Sequence, residues 1–329
     1  MLTRRVIVQS AGLAAIAAPV IGFPRVANAA WPERPVKVLV PFGPGGPADV
    51  IARLIGSLLG ERLGQSFFVE NRPGATGNIG VGLAARAEPD GYALLITSNT
   101  FVINPMLFAS VPYDPVNDFL PIAELASSPT AYAVHPGLGA NTLAEFIALA
   151  KERAGKLNYA HSGFGTPAHL AGEFLKIRAG IEMTAVPYNG GGPAVQALLT
   201  RSVDLVSAAL PSAHPQIVAG TLKGIAVTGE KRWFDLPDVP TMIDAGYPGF
   251  VVDTFTCMLA PAKTPQDIAD GLAKEIIAIL KLEDVQKRLR SVGFEAMSGS
   301  PQALRARIAR DLPLWRDVIA QAGIKKLQQ

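Results

Sequence analysis

The chain has 329 residues, is 49% hydrophobic and only 17% charged, and carries a formal net charge of +3. That much apolar material builds a sizeable core and excludes a disordered chain. Residues 1–29 hold Arg4, Arg5 and Arg25 and no Lys or acid; the remaining 27 basic and 27 acidic residues balance, so bulk charge gives no argument for nucleic acid.

Taken in chain order, Arg4-Arg5 precedes an apolar stretch, Val6 to Ile21, then Pro24 and Ala27-Asn28-Ala29. This is the charged, apolar and small-residue order of a secretory signal, with cleavage expected near Ala29 and a periplasmic destination. The stretch, broken by Gln9, Ser10, Gly12 and Pro19, falls short of the roughly 20 apolar residues of a membrane span. The paired arginines resemble a twin-arginine signal, but Ile7 stands where Phe is usual, which leaves the export route open.

The mature part reads as alternating strands and helices. Val36–Val40 is a buried strand, and Val50/Ile51, Leu54/Ile55 and Leu58/Leu59 recur at helical spacing. Phe67–Val69 and Leu94–Ile96 are strands, and Ile79–Ala87 is a helix that stops before Pro89-Asp90-Gly91. The βαβ pattern repeats: Tyr132–Val134 is a strand, and Thr142 with Glu145 forms a capping box that opens a helix. Further strands are expected over 157–160, 183–186, 203–206 and 225–227, with helices over 168–179 and 194–200. The tail from Pro265 is mostly helical, with apolar faces Ile268/Leu272/Ile276/Ile279 and Leu304/Ile308/Leu312/Trp315, and must pack on a lobe. Two βαβ units without a low-complexity linker predict a bilobal α/β molecule.

Four strand-to-helix loops are candidate ligand sites. Phe42-Gly43-Pro44-Gly45-Gly46-Pro47-Ala48-Asp49 opens the first helix, where glycines admit a close ligand and the helix start offers N–H groups to an anion. Ser162-Gly163-Phe164-Gly165-Thr166-Pro167-Ala168-His169 repeats the arrangement in the second lobe, with His169 one turn into the helix as a packing or hydrogen-bonding residue or a ligand contact. Ser98, Asn99 and Thr100 end the third strand, where open α/β sheets place ligands. Tyr188 and Asn189 begin the fourth loop. None of these loops contains Lys or Arg, so an anion would be held by N–H groups, hydroxyls, helix dipoles and water. Gly43-x-Gly45-x-x-Ala48 with Glu70 also fits a dinucleotide fingerprint taken literally, which keeps an exported nucleotide-dependent oxidoreductase as the alternative. The intervening prolines and a spacing longer than about 20 residues argue against it. The lone Cys257 reads as a core residue, and His135, His161, His169 and His214 lack metal-ligand spacing.

Several motifs together carry a family resemblance. They include Trp31-Pro32-x-Arg34-Pro35, Val40-Pro41-Phe42-x-Pro44-Gly45-Gly46-x-x-Asp49, and Val69-Glu70-Asn71-Arg72-Pro73-Gly74-x-x-Gly77-Asn78-Ile79-Gly80. Pro89-Asp90-Gly91-Tyr92, Gly163-x-Gly165-Thr166-x-x-His169-Leu170-Ala171-Gly172-Glu173, Val186-Pro187-Tyr188-x-Gly190 and Leu236-Pro237-Asp238-Val239-Pro240-Thr241 continue them. In these the chain resembles the extracytoplasmic solute-binding proteins of tripartite tricarboxylate transporters, the Bug proteins. The resemblance implies a type II periplasmic-binding-protein fold, a Venus flytrap of two α/β lobes without catalysis or cofactor. One lobe would comprise residues 30–130 plus 254–329 and the other 131–253. It further implies a small organic carboxylate gripped between the lobes, and the membrane subunits of a transporter as partners. A sensor kinase as the downstream partner is a variant of the same reading. Thr76 departs from the family pattern by replacing a common Gly, and Thr200-Arg201-Ser202 replaces a Gly-rich turn.

Overall fold

A computed structural model describes residues 31–327; the expected export signal and its cleavage point lie outside the described residues. The chain begins with β1 (Val36–Val40), α1 (Pro47–Leu63), β2 (Phe67–Asn71), α2 (Asn78–Ala85), β3 (Ala93–Ser98) and α3 (Thr100–Leu107). It crosses on β4 (Phe119–Val134) and continues through α4 (Leu143–Glu152), β5 (Asn158–His161), α5 (Pro167–Ala179) and β6 (Thr184–Pro187). Then come α6 (Gly191–Leu199), β7 (Leu205–Ala209), α7 (Leu210–Val218) and β8 (Lys223–Val227). It returns on β9 (Asp253–Pro261) and ends with α8 (Gln266–Leu280), α9 (Glu283–Ser291), β10 (Glu295–Gly299) and α10 (Pro301–Gln321). No described helix is long and apolar enough to cross a membrane.

The strands lie in the order β2-β1-β3-β9-β4-β7-β5-β6, with β10 and β8 also pairing with β4. β1 runs parallel to β2 and β3, and β5 runs parallel to β6 and β7. The two parallel sets are the two lobes, and β4 belongs to both. Its earlier residues pair with β9 and β10, whereas Thr130–Val134 pair with β7 and β8. Register fixes where the strand ends meet. Ser98 is opposite Thr256, which is opposite Ala126; Ala209, ending β7, is opposite Thr130. The carboxyl ends of both parallel sets therefore approach the Ala126–Thr130 crossing from opposite sides, where such sheets place ligands.

Helices cover both faces of each lobe, which suits near-continuous apolar strands. Val38, Ile51, Ile55, Leu59, Leu272 and Ile276 are buried on one face of the first lobe. Leu39, Leu95, Phe101, Phe255, Cys257 and Leu304 fill the other. Tyr132, Phe146, Tyr159, Leu170 and Leu175 form the main core of the second lobe. Thr142 caps α4 as expected, its Oγ1 accepting the Glu145 N–H at 3.2 Å, but the return bond of the expected capping box falls one residue early, the Glu145 carboxylate accepting the Asn141 N–H at 2.6 Å.

The tail does more than cover one lobe. Leu304 and Ile308 of α10 are buried in the first lobe's core, while Trp315, Val318 and Ile319 are buried with Tyr132 and Tyr159 in the second. Pro313 lies inside the helix between these two sets. It lacks the N–H that would bond back one turn, so it is the natural bending point of the helix. β4 is 16 residues long although only Tyr132–Val134 reads as a strand in the sequence. Pro121, Glu124, Ser127, Ser128 and Pro129 mask it, and the ladder tolerates the irregularity through register shifts between Pro121 and Ala123 and between Glu124 and Ala126.

Candidate functional site

Two of the loops are built alike. Gly45 and Gly165 both take left-handed backbone, φ 79° and 74°, which glycine adopts without steric cost. Each is followed two residues later by the proline that starts a helix, Pro47 of α1 and Pro167 of α5. Each glycine donates its amide to the side chain four residues on. The Gly45 N–H reaches Asp49 Oδ2 at 2.9 Å, and the Gly165 N–H reaches His169 Nδ1 at 3.1 Å. One such loop ends β1 in the first lobe and the other ends β5 in the second.

Asp49 is buried and fully engaged. Arg53 binds both carboxylate oxygens at 2.9 and 3.0 Å, and the Asn71 amide donates to Oδ1 at 2.9 Å and to the Phe42 carbonyl at 3.0 Å. Burial works against ionisation, but the hydrogen bonds from Arg53, Gly45 and Asn71 outweigh it and hold the carboxyl at about 2. Phe42 is half-buried, and Gly43, Pro44 and Gly45 are exposed at the loop tip.

In the second loop Thr166 caps α5. Its hydroxyl accepts the His169 N–H at 3.3 Å and donates to the Gly163 carbonyl at 2.7 Å. Ser162 Oγ donates to Thr166 Oγ1 at 3.3 Å. His161 Nδ1 lies 2.9 Å from the Gly163 carbonyl. The His169 ring packs 4.4 Å from His161 and 4.5 Å from Phe164, centroid to centroid. Burial lowers the His169 pKa to about 3, assisted by the charges of His161 and Lys176, so the ring is neutral at physiological pH. Beneath it the Tyr159 hydroxyl donates to Glu173 Oε1 at 2.7 Å, and Lys176 pairs with Glu173 at 2.8 Å. The Phe164 N–H has no acceptor among the described residues, and its ring is 43% exposed, the most open apolar group of the loop.

The other candidate segments sit beside these. Ser98 Oγ and Thr100 Oγ1 are 3.0 Å apart at the start of α3, with Ser98 half-exposed and Thr100 buried. Asn99 is wholly buried and points its amide at the Asp253 carbonyl, 2.9 Å away, so it braces the return crossing. Tyr188 donates its N–H to the His161 carbonyl at 2.9 Å, which lays the fourth loop against the second. Asn189 is exposed. Glu70, the acid that a dinucleotide would need on its ribose, is instead held by Lys37 and Arg72.

Helix α3 joins these parts, and its segment does not read as a helix because Asn104 and Pro105 interrupt an apolar run. Ser98 and Asn99 lead directly into it and Thr100 is its first residue. Asn104 donates to the Thr76 carbonyl at 3.0 Å and to Asn78 Oδ1 at 2.7 Å, on the turn against which Phe42 packs. Leu107, at its end, lies against Gly165.

A second group escapes sequence reading. Arg307 of α10 pairs with Glu124 of β4 and with Asp253 at the start of β9, and lies 4.2 Å over the Phe255 ring. Asp311 is 3.7 Å from the same guanidinium, and Ser127 donates to Asp253. These residues lie far apart in sequence and meet only where the strands cross. A cavity of about 540 Å³ opens beside them, lined by Trp233, Phe234 and Arg310 among others, and none of the loop residues lines it. Among the described residues no cluster of His, Cys, Asp and Glu has the arrangement to hold a metal.

Comparison with known proteins gives one consistent answer. The family model described as tripartite tricarboxylate transporter family receptor, TctC, matches residues 51–324. The solved periplasmic binding protein BugD is 36% identical with a TM-score of 0.76, covering 90% of this chain and 100% of its own. Rpa4515 of R. palustris, solved with adipate, is 36% identical with a TM-score of 0.79, covering 90% of this chain and 100% of its own. MatC of Rhodopseudomonas palustris, solved with bound malate, is 33% identical with a TM-score of 0.74, covering 88% of this chain and 100% of its own.

Proposed function

The chain belongs to the TctC family of tripartite tricarboxylate transporter receptors, and we propose that it captures a small organic carboxylate in the periplasm and delivers it to a membrane transporter. The observation that carries this reading is the pairing of equivalent loops, one per lobe, at strand ends that converge on the crossing. The first turns of α1 and α5 offer partial positive charge to an anion placed between them. The Ser98 hydroxyl and the Phe164 amide supply donors, while the Ser162 and Thr166 hydroxyls are spent within the loop, on Thr166 and on the Gly163 carbonyl. The nearby cations are engaged, Arg53 with Asp49 and Arg72 with Glu70. Carboxylate binding would therefore rest on dipoles, hydroxyls and water rather than on an ion pair.

A ligand touching both loops interacts better with the closed form than with the open one, which is the condition for it to drive closure. The bound adipate and malate of the two related structures motivate the ligand class. The test is a thermal-shift screen of the purified mature protein against mono-, di- and tricarboxylates, aromatic acids and amino acids, with NAD as control. A ligand at 100 times its Kd stabilises the folded state by about 2.7 kcal/mol. Stabilisation by a carboxylate and none by NAD is expected; a response to NAD alone would overturn the reading.

A further inference from the structure

We propose that Asp49 and His169 are matched positioning residues, one in each lobe, that lock the Gly45 and Gly165 amides inward and so shape the two loops without touching the ligand. The segments Gly45-Gly46-Pro47-Ala48-Asp49 and Gly165-Thr166-Pro167-Ala168-His169 share the left-handed glycine, the helix-starting proline two residues on and the acceptor four residues on. In both, the residue before the proline is extended, at φ −75°, ψ 166° for Gly46 and φ −69°, ψ 157° for Thr166.

Both acceptors are buried, Asp49 at 3% and His169 at 2% exposure. Neither is free to reach a ligand without giving up its glycine. Since His169 Nδ1 accepts a hydrogen bond, the ring of a neutral imidazole carries its proton on Nε2. The titratable and charged groups around the ring are His161, Glu173 and Lys176, with Tyr159 hydrogen-bonded to the same carboxylate. Glu173 is neutralised by Lys176, so no free anion stabilises an imidazolium there.

The two devices differ in charge. In the first lobe the acceptor is an anion whose charge Arg53 offsets; in the second it is a neutral ring in an aromatic stack. An anionic acceptor beneath an anion-binding loop needs such a partner, whereas a neutral acceptor does not. The charge difference explains why one loop carries an arginine four residues beyond its acceptor and the other does not.

The test uses the mature protein and four variants. Asp49→Asn and His169→Asn each keep an acceptor oxygen near the position of the native one, whereas Asp49→Ala and His169→Leu remove it. Amide hydrogen exchange at Gly45 and Gly165, read by NMR without ligand, should stay within threefold of wild type in the Asn variants. It should accelerate at least tenfold in the others, at the glycine of the altered loop only. The ¹⁵N shifts of His169 should report the Nε2–H tautomer from pH 5 to pH 8. Adipate affinity, which alone depends on the proposed binding function, should follow the same order. Fast exchange at either glycine in wild type, or an imidazolium at neutral pH, would overturn the proposal. So would a tenfold affinity loss in an Asn variant whose glycine stays protected. Should the Ala and Leu variants fail to fold, the wild-type exchange, the tautomer and the Asn variants still decide. Should wild type bind no carboxylate, the functional reading fails while the exchange measurements stand.

Discussion

Gly165, in the loop that opens α5, lies directly against Leu107, the last residue of α3 in the first part of the chain; a methyl group added to Gly165 would overlap Leu107 Cδ1. Leu107 is itself pinned from behind, since its carbonyl accepts the Leu327 N–H at 2.7 Å. The loop has no room to retreat toward α3. We expect Gly165→Ala to destabilise the protein by about 2–3 kcal/mol, from left-handed strain plus overpacking. Leu107→Ala alone should cost about 2–5 kcal/mol. The double variant should cost less than the sum, because each change relieves the other. Urea unfolding of the four proteins checks this, and strict additivity would exclude the contact.

On the proposed function, loop shape and surface charge should contribute separately to carboxylate binding. Gly45→Val forces a branched residue to φ 79°, and Thr166→Ala removes a cap and the tie to Gly163. Arg72 is exposed and paired with Glu70. Calorimetry with a carboxylate that stabilises the wild-type protein should show both loop variants weakened at least tenfold and Arg72→Ala changed less than threefold. The reverse order would contradict a site built on loop geometry.

His169 predicts a slope of stability with pH. Its folded pKa, about 3, lies below the ordinary 6.5, so between these values the unfolded chain binds a proton that the native protein refuses. The stability contributed by the neutral ring is complete above pH 6.5 and declines as pH falls toward 3. His169→Asn should remove this component, flattening the denaturation midpoint between pH 7 and pH 5 relative to wild type. An unchanged slope would mean that the native ring takes up a proton as readily as the unfolded one.

Glu124 predicts the opposite slope. Burial pushes its carboxyl up from the ordinary 4.5 to about 7; Arg307 opposes the shift, while Asp253 and Asp311 compete for the same guanidinium. Here the native state holds the proton more tightly. Its contribution to stability is greatest at acid pH and is lost as pH rises from 4.5 to 7. Glu124→Gln should flatten this component and leave the protein folded. Arg307→Met should destabilise by about 3–5 kcal/mol at neutral pH, since it strands buried carboxylates. Thermal melts across pH 4.5–8 distinguish the two.

The two departures from the family pattern converge on one physical cost. Thr76 and Arg201 both adopt positive φ, 54° and 59°. Relief of that conformation is worth about 1–2 kcal/mol, offset by the greater unfolded-state entropy of glycine, about 0.5–1 kcal/mol. Thr76→Gly and Arg201→Gly should therefore each leave stability unchanged or raise it by up to about 1.5 kcal/mol. A clear loss of stability in the Arg201 variant would show that its side chain outweighs the strain.

Alternating βαβ periodicity and the Gly-Pro loop starts were legible in the sequence alone, because strand and helix periods and left-handed turns are set by neighbouring residues. The same local signals sufficed for the Thr142 cap of α4 and for a core position at Cys257, which is wholly buried. What sequence could not show was where loop donors point. Gly45 and Gly165 read as positions of close ligand approach beside a helix start, yet their amides are taken by the side chain four residues on, and only the folded turn brings that acceptor within reach. Nor could it show α3 as the brace between loops, or Arg307 meeting Glu124 and Asp253, whose sequence separations are 183 and 54. Long-range pairing of this kind depends on the crossing of β4 and β9 and on a final helix shared by both cores. The local chain therefore determined the two lobes and the positions of their loops, and tertiary packing decided which groups in those loops remain available to a ligand.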